Sequence, residues 1–154
     1  MKFQLKSKKG FTLIELLVVI AILAILLVIV LVAVNPARQT RDARNTQRRA
    51  DVLTILNSVN QYFIENGAYP SGTPTQGSTR TIDATGGAGS TGTGFCSALV
   101  PDFVAALPAD PTTGSYSTCS SFDTGYTIER LAGDRVTIAA PSTEGGIATV
   151  SATR

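Results

Sequence analysis

The sequence predicts an α+β protein: a long N-terminal helix, half transmembrane and half amphipathic, followed by a small C-terminal antiparallel sheet. Three observations carry this reading. Leu16 to Val34 is a run of 19 residues drawn only from Leu, Val, Ile and Ala, enough to cross a bilayer as a helix. Val52, Ile55, Leu56, Val59, Tyr62 and Phe63 then recur at helical spacing, so a second helical stretch has one apolar face. Last, Tyr126–Leu131, Arg135–Ala139 and Ile147–Val150 are rich in β-branched and aromatic residues and are broken by glycine-containing turns, which reads as a set of short strands.

Taken in order, the helix opens at Lys8-Lys9-Gly10-Phe11-Thr12-Leu13-Ile14-Glu15-Leu16. Here one carboxylate stands at the mouth of the apolar run. An acid at the centre of a membrane helix costs roughly 2.5–3.5 kcal/mol and less toward the interface, so Glu15 is expected to have a function. Helical spacing resumes after Asn35-Pro36, and the expected element runs from about Phe11 to Asn66, kinked or melted near Pro36. Gly67 supplies a C-cap and Pro70 prevents continuation. Residues 71–94 are rich in Gly, Ser and Thr and read as a long surface loop. Ala98-Leu99-Val100 with Phe103, Val104 and Leu107 suggests a short helical turn ending at Pro108. In the strands that follow, alternation places Tyr126, Ile128 and Arg130 on one face, and Val136 and Ile138 on one face. Three or four antiparallel strands are expected to wrap the Val52–Phe63 stripe.

The stretch Lys9-Gly10-Phe11-Thr12-Leu13-Ile14-Glu15-Leu16 with its apolar helix resembles the N-terminus of the type IV pilin family. In that family a prepilin peptidase cuts after the glycine, the new N-terminal phenylalanine is N-methylated, and the glutamate five residues into the mature chain serves filament assembly. The resemblance therefore implies processing at Gly10 and Phe11, methylation of Phe11 and an assembly role for Glu15. Looser similarity continues to Asn66-Gly67-Ala68-Tyr69-Pro70, and Leu107-Pro108-Ala109-Asp110-Pro111 is similar to the L-P-x-D-P stretch of many pilins and secretion pseudopilins. Many pilins carry a helix-breaking proline where this chain has Val32. The organisation implied is a basic leader, residues 1–10, that is removed; a transmembrane and filament-core helix, 11–34; an amphipathic helix, 35–67; and a globular part, 68–154, that includes the 71–94 loop and the sheet.

Composition bounds the chemistry. All four lysines (Lys2, Lys6, Lys8, Lys9) precede Phe11, which leaves nine arginines against eleven acids in the remainder. A basic, nucleic-acid-seeking surface is thus not indicated. Arg38, Arg41, Arg44, Arg48 and Arg49 could face phosphates, but Asp42 and Asp51 interleave with them and no aromatic does; pairing with neighbours or a solvated face fits better. With no histidine at all, histidine general-base chemistry and histidine metal ligation are excluded. Serines lack a partnering base and no phosphate-cradling glycine motif follows a strand, so no catalytic residues are expected. Cys96 and Cys119 fall beyond the apolar run, where an oxidising compartment permits a disulfide. Two free buried thiols remain the alternative, because two cysteines alone do not establish proximity.

Some secretion pseudopilins bind calcium in the loop after the Asp-Pro element, which makes Asp110 and Asp123, with Asp102 nearby in sequence, weak candidates for a metal site. Hard cations want six to eight oxygens and the spacing forms no recognised cage; Asp110 reads better as a turn former, and no cofactor is otherwise expected. A secretory signal peptide does not fit, since the apolar run is long and carries an acid at its head. Arginines follow the span as densely as lysines precede it, so charge does not orient it; an N-in, C-out topology comes from the resemblance.

The function expected is a structural subunit of a type IV pilus or related surface filament. It would be processed by prepilin peptidase, held in the cytoplasmic membrane as a single-pass precursor, and polymerised with copies of itself through an inner-membrane assembly platform. A minor pilin or pseudopilin of a type II secretion or DNA-uptake machine is the alternative. A membrane-tethered binding domain that never polymerises is a third reading of another class.

Overall fold

A computed structural model of the protein describes residues 10–154. The leader before Gly10, with Lys2, Lys6, Lys8 and Lys9, lies outside the described residues. The chain divides into two units, one ending at Gln39 and the other spanning Thr40–Arg154, and the architecture is the α+β one that the patterning predicts.

In the first unit α1 spans Leu13–Val34. It begins at Leu13 and not at Phe11, because Thr12 has extended backbone angles and caps it. Leu13–Ala33 has a mean hydropathy of 3.7, and its large apolar side chains are exposed. Interruption comes at Asn35, one residue before the proline. Asn35 adopts the left-handed conformation, φ 42°, which asparagine tolerates better than most residues, and a residue preceding proline is disfavoured in the helical region. Pro36 is then the first residue of α2, Pro36–Asn66, where its missing N–H breaks no bond. The Asn35 carbonyl accepts from the N–H groups of Arg38 and Gln39 at 3.0 and 3.4 Å, so one residue ends one helix and starts the next.

In the second unit the later turns of α2 bury Val52, Ile55, Leu56 and Val59, the stripe read from spacing. Phe63 is only half-buried and stacks on Tyr69 at 4.5 Å. Gly67, with φ 67°, closes the helix by donating to the Phe63 carbonyl at 2.8 Å. The sheet has five strands, more than the three or four expected: β1 Thr79–Asp83, β2 Ser115–Thr118, β3 Ser121–Arg130, β4 Val136–Ala140 and β5 Val150–Thr153. Their order is β1-β3-β4-β5 with β2 also on β3, and all pairings are antiparallel. Alternation along β3 buries Phe122, Thr124, Tyr126 and Ile128, and along β4 Val136, Ile138 and Ala140; all but Thr124 form one core with the α2 stripe.

Three local expectations are corrected. The 71–94 segment is not all loop: it contains β1, whose Ile82 is fully buried and whose Thr79, Arg80 and Thr81 face Glu129, Ile128 and Thr127 on β3. Its order comes from a partner some fifty residues on, which local composition does not reveal. The rest of the segment is tied back to Asp83, which accepts from the Ser90 hydroxyl at 2.6 Å and the Thr85 N–H at 2.8 Å. Second, the helical turn of the globular part is α3, Thr93–Leu99, earlier than the Ala98–Leu107 cluster suggested. It stops before Pro101 because Val100 is extended, φ −101° and ψ 132°, as a residue before proline prefers. Third, the last strand is β5, three residues later than Ile147–Val150. The Thr143 hydroxyl bonds the Ile147 carbonyl at 2.8 Å, Gly145 and Gly146 have positive φ, and Glu144 is held by α2, so this part of the chain turns and does not extend.

Cys96 on α3 and Cys119, between β2 and β3, are joined by a disulfide with Cα atoms 5.3 Å apart. The bridge closes a short loop. With 23 residues of separation, the chain-entropy model gives about 3–4 kcal/mol. Cys119→Ser is accordingly expected to lower the unfolding free energy by an amount close to that figure, seen as a lower denaturation midpoint. Non-reduced peptide mapping should recover the two cysteines in one linked peptide pair; recovery of free thiols, with a variant as stable as the parent, would refute the assignment.

Candidate functional site

The head of α1 gathers Gly10, Phe11 and Glu15. Among the described residues nothing stands within 4 Å of where a Gly10 side chain would be, and Phe11 is 89% exposed. Thr12 and Glu15 form a capping box. The Thr12 hydroxyl oxygen accepts from the Glu15 N–H at 3.3 Å, while the Glu15 carboxylate accepts from both the N–H and the hydroxyl of Thr12 at 2.9 Å. Two of the helix's orphan donors are satisfied in this way. Glu15 therefore has a local partner in the isolated chain, and its Oε2 carries both contacts.

A second polar cluster lies in the α+β unit around Arg48, which is buried although it belongs to the row of arginines expected to pair with neighbours or stay solvated; Arg38, Arg41 and Arg49 of that row are exposed. Arg48 is fully buried. Its Nε donates to Asp110 Oδ2 at 2.6 Å and its Nη2 to Asp110 Oδ1 at 3.1 Å, a two-pronged pair that matches guanidinium to carboxylate. Nη1 goes to Asn45 Oδ1 at 2.9 Å and Nη2 also to the Thr112 hydroxyl at 2.8 Å. The same Asn45 exchanges bonds with the Glu144 backbone, its Nδ2 donating to the carbonyl at 2.9 Å and its Oδ1 accepting the N–H at 3.2 Å. Arg44 pairs with the Glu144 carboxylate at 3.3 Å. One turn along, the Tyr126 hydroxyl donates to Asp51 Oδ2 at 2.7 Å. Burial raises the Asp51 carboxyl above its ordinary value against the opposing effect of that hydroxyl, and burial together with the adjacent Asp51 charge raises the Tyr126 phenol.

Asp110 is the turn former expected, its Oδ1 accepting from the Thr112 and Thr113 N–H groups at 2.8 and 3.0 Å, and it is buried as well. Burial pushes its carboxyl up, but Arg48, the Thr112 hydroxyl and the N–H groups of Thr112 and Thr113 hold it well below the usual carboxylate range. Its charge is matched by the Arg48 guanidinium. Gly114 belongs to the same construction: a Cβ there would stand 2.4 Å from the Asp110 nitrogen and 2.7 Å from the Thr124 carbonyl, so the loop can close only on glycine. Asp123 is exposed on β3 and accepts from the Gly125 N–H at 2.9 Å; Asp102 is exposed after α3. Among the described residues no group of three or more carboxylate or thiol ligands converges.

Comparison with known proteins bears on the helix head. Residues 5–31 match the family model of the prokaryotic N-terminal methylation motif. Searches of curated proteins and of solved structures gave no significant match. The motif and the capped helix coincide: Gly10, Phe11 and Glu15 all lie inside the matched residues. The chain carries the class III prepilin motif of type IV pilins and pseudopilins, on an apolar helix joined to a small antiparallel sheet.

Proposed function

We propose that this protein is a filament subunit, made as a single-pass precursor in the cytoplasmic membrane, cut between Gly10 and Phe11 by prepilin peptidase, methylated at Phe11 and polymerised through α1 by an inner-membrane assembly platform. The observation that carries this reading is the coincidence of a methylation motif with an apolar helix whose side chains are exposed. In water such a surface would aggregate; the bilayer accommodates it before assembly, and the apolar helices of neighbouring subunits replace lipid afterwards. The α+β unit remains outside the membrane with its disulfide, which suits an N-in, C-out topology.

Electron microscopy of material sheared from cells, with intact-mass analysis of the same fraction, tests the reading. Filaments should contain a subunit that begins at Phe11 and carries one methyl group. Filament-borne subunit retaining Met1 would overturn the processing step. Because a side chain at residue 10 would alter the residue the peptidase reads, Gly10→Val is expected to leave uncut precursor in the membrane fraction, with mature subunit lost. Abundant mature subunit from that variant would place the cut elsewhere.

A further inference from the structure

The sheet leaves one edge open beside α2. β5 ends the order β1-β3-β4-β5, and its pairing with β4 is regular from Thr137↔Thr153 to Ala140↔Val150. Val136 and Arg154 exchange both backbone bonds, at 2.8 and 3.0 Å. By antiparallel alternation Ala152 and Val150 also turn their backbone groups toward β4, so the N–H and C=O groups of Ser151 and Thr153 face away from the sheet. An edge of this kind is a template for another strand.

The other end of the sheet is closed. There the Thr81 N–H donates to the Gly89 carbonyl and the Thr91 N–H to the Thr81 carbonyl, both at 2.9 Å, and a bulge breaks the register between Thr81 and Asp83. β5, Val-Ser-Ala-Thr, has no proline, charge or bulge to discourage pairing. Beside it runs a groove of about 410 Å³ lined by Arg49, Val52 and Leu53 of α2 and by residues 148–152. Leu53 is half exposed, and Arg49 makes none of the ion pairs found among the described residues.

We propose that this groove binds an extended segment of a partner protein, which adds a strand to β5, lays an apolar side chain on Leu53 and presents a carboxylate to Arg49. Backbone pairing supplies the attachment, and the side chains that meet Leu53 and Arg49 supply the selectivity. Charge decides the occupant. A segment with an acid at this position neutralises Arg49 as the groove loses water, whereas a basic segment leaves two like charges together. The length of β5, four residues, sets the segment at about four or five residues.

The test uses the full chain in detergent micelles. The probe is a fluorescein-labelled pentapeptide, capped at its C-terminus, that alternates valine and threonine around a central aspartate; the control has lysine in that place. Fluorescence anisotropy is expected to show the aspartate peptide binding at least about tenfold more tightly, since like-charge contact penalises the control. Hydrogen exchange at Ser151 and Thr153 should slow when it binds. Arg49→Glu, an exposed substitution, should reverse the preference between the peptides. Ser151→Pro removes an outward N–H without touching a β4 bond, and should abolish binding while the circular dichroism is unchanged. Equal binding of both peptides, unchanged exchange at the two amides, or full binding by Ser151→Pro would each overturn the proposal. So would a dimer of the full chain that Ser151→Pro dissolves while neither peptide binds, since the edge would then serve a second copy.

Discussion

Asp110→Ala is expected to destabilise the α+β unit by about 3–5 kcal/mol, the usual consequence of removing one partner from a buried ion pair. Arg48 is fully buried, and its remaining partners, Asn45, Thr112 and Glu144, include only one carboxylate, at 3.4 Å. Removing Asp110 also strips the acceptor from the N–H groups of Thr112 and Thr113. Asp110→Asn should fall between, because an amide oxygen can still accept from the loop but carries no charge. The double variant Arg48→Met with Asp110→Ala should be less destabilised than the two single effects added together, since neither charge is then left buried alone. The readout is urea unfolding of the full chain in micelles, followed by near-UV tyrosine dichroism because the chain has no tryptophan. Additive effects would show that the pair does not act as a unit.

The same pair gives a signed dependence on pH. Its carboxyl is held lower in the folded chain than in the unfolded one, so its stabilisation is complete above the unfolded value of about 4 and is lost as pH falls through the depressed folded value. Wild-type stability should therefore decline from about pH 4 downward, and Asp110→Asn should decline less steeply over that window. Parallel slopes for the two proteins would assign acid unfolding to other groups.

What the sequence made legible was set by the range of the interactions involved. The apolar run and the Val52–Val59 stripe are local patterns, and both helices follow from them. β1 was hidden because its single core residue, Ile82, sits among threonines and glycines, and its reason to be a strand lies on β3. The Arg48 cluster was hidden for a different reason, since arginine and aspartate read as surface residues by type. Position tells otherwise. Arg48 and Asn45 continue the buried stripe backward from Val59, Leu56, Ile55 and Val52 at the same helical spacing, so the stripe points at them although their chemistry does not. A polar residue in phase with a core face, with an Asp in a turn elsewhere, is the signal that could have predicted the pair. Which carboxylate would meet it was not legible, because Asp110 is 62 residues away and Glu144 is further still.

Glu15→Val is expected to leave processing and membrane insertion intact while filaments are lost. On the proposed processing, cutting the Gly10–Phe11 bond makes the amine of Phe11 a cation at the mouth of an apolar helix, next to the cap Thr12 and four residues before Glu15. In a bundle of such helices the carboxylate of a neighbouring subunit can neutralise it, and breaking a buried pair costs roughly 3–5 kcal/mol for each subunit added. The capping box supplies a rival explanation. Glu15 already accepts from the Thr12 N–H and hydroxyl within its own chain, and loss of a helix cap alone costs about 0.5–2 kcal/mol. Glu15→Gln separates the two, because glutamine can complete a capping box but carries no charge. If charge matters, both variants should yield processed subunit in the membrane fraction and few or no sheared filaments. Thr12→Ala, which removes the cap's hydroxyl and spares the charge, should then retain most of them. Normal filaments from Glu15→Gln would reduce Glu15 to a helix cap, and normal filaments from Glu15→Val as the sole subunit would remove its assembly role altogether. The second of those outcomes would also weaken the filament reading of the chain and favour an anchored domain that does not polymerise.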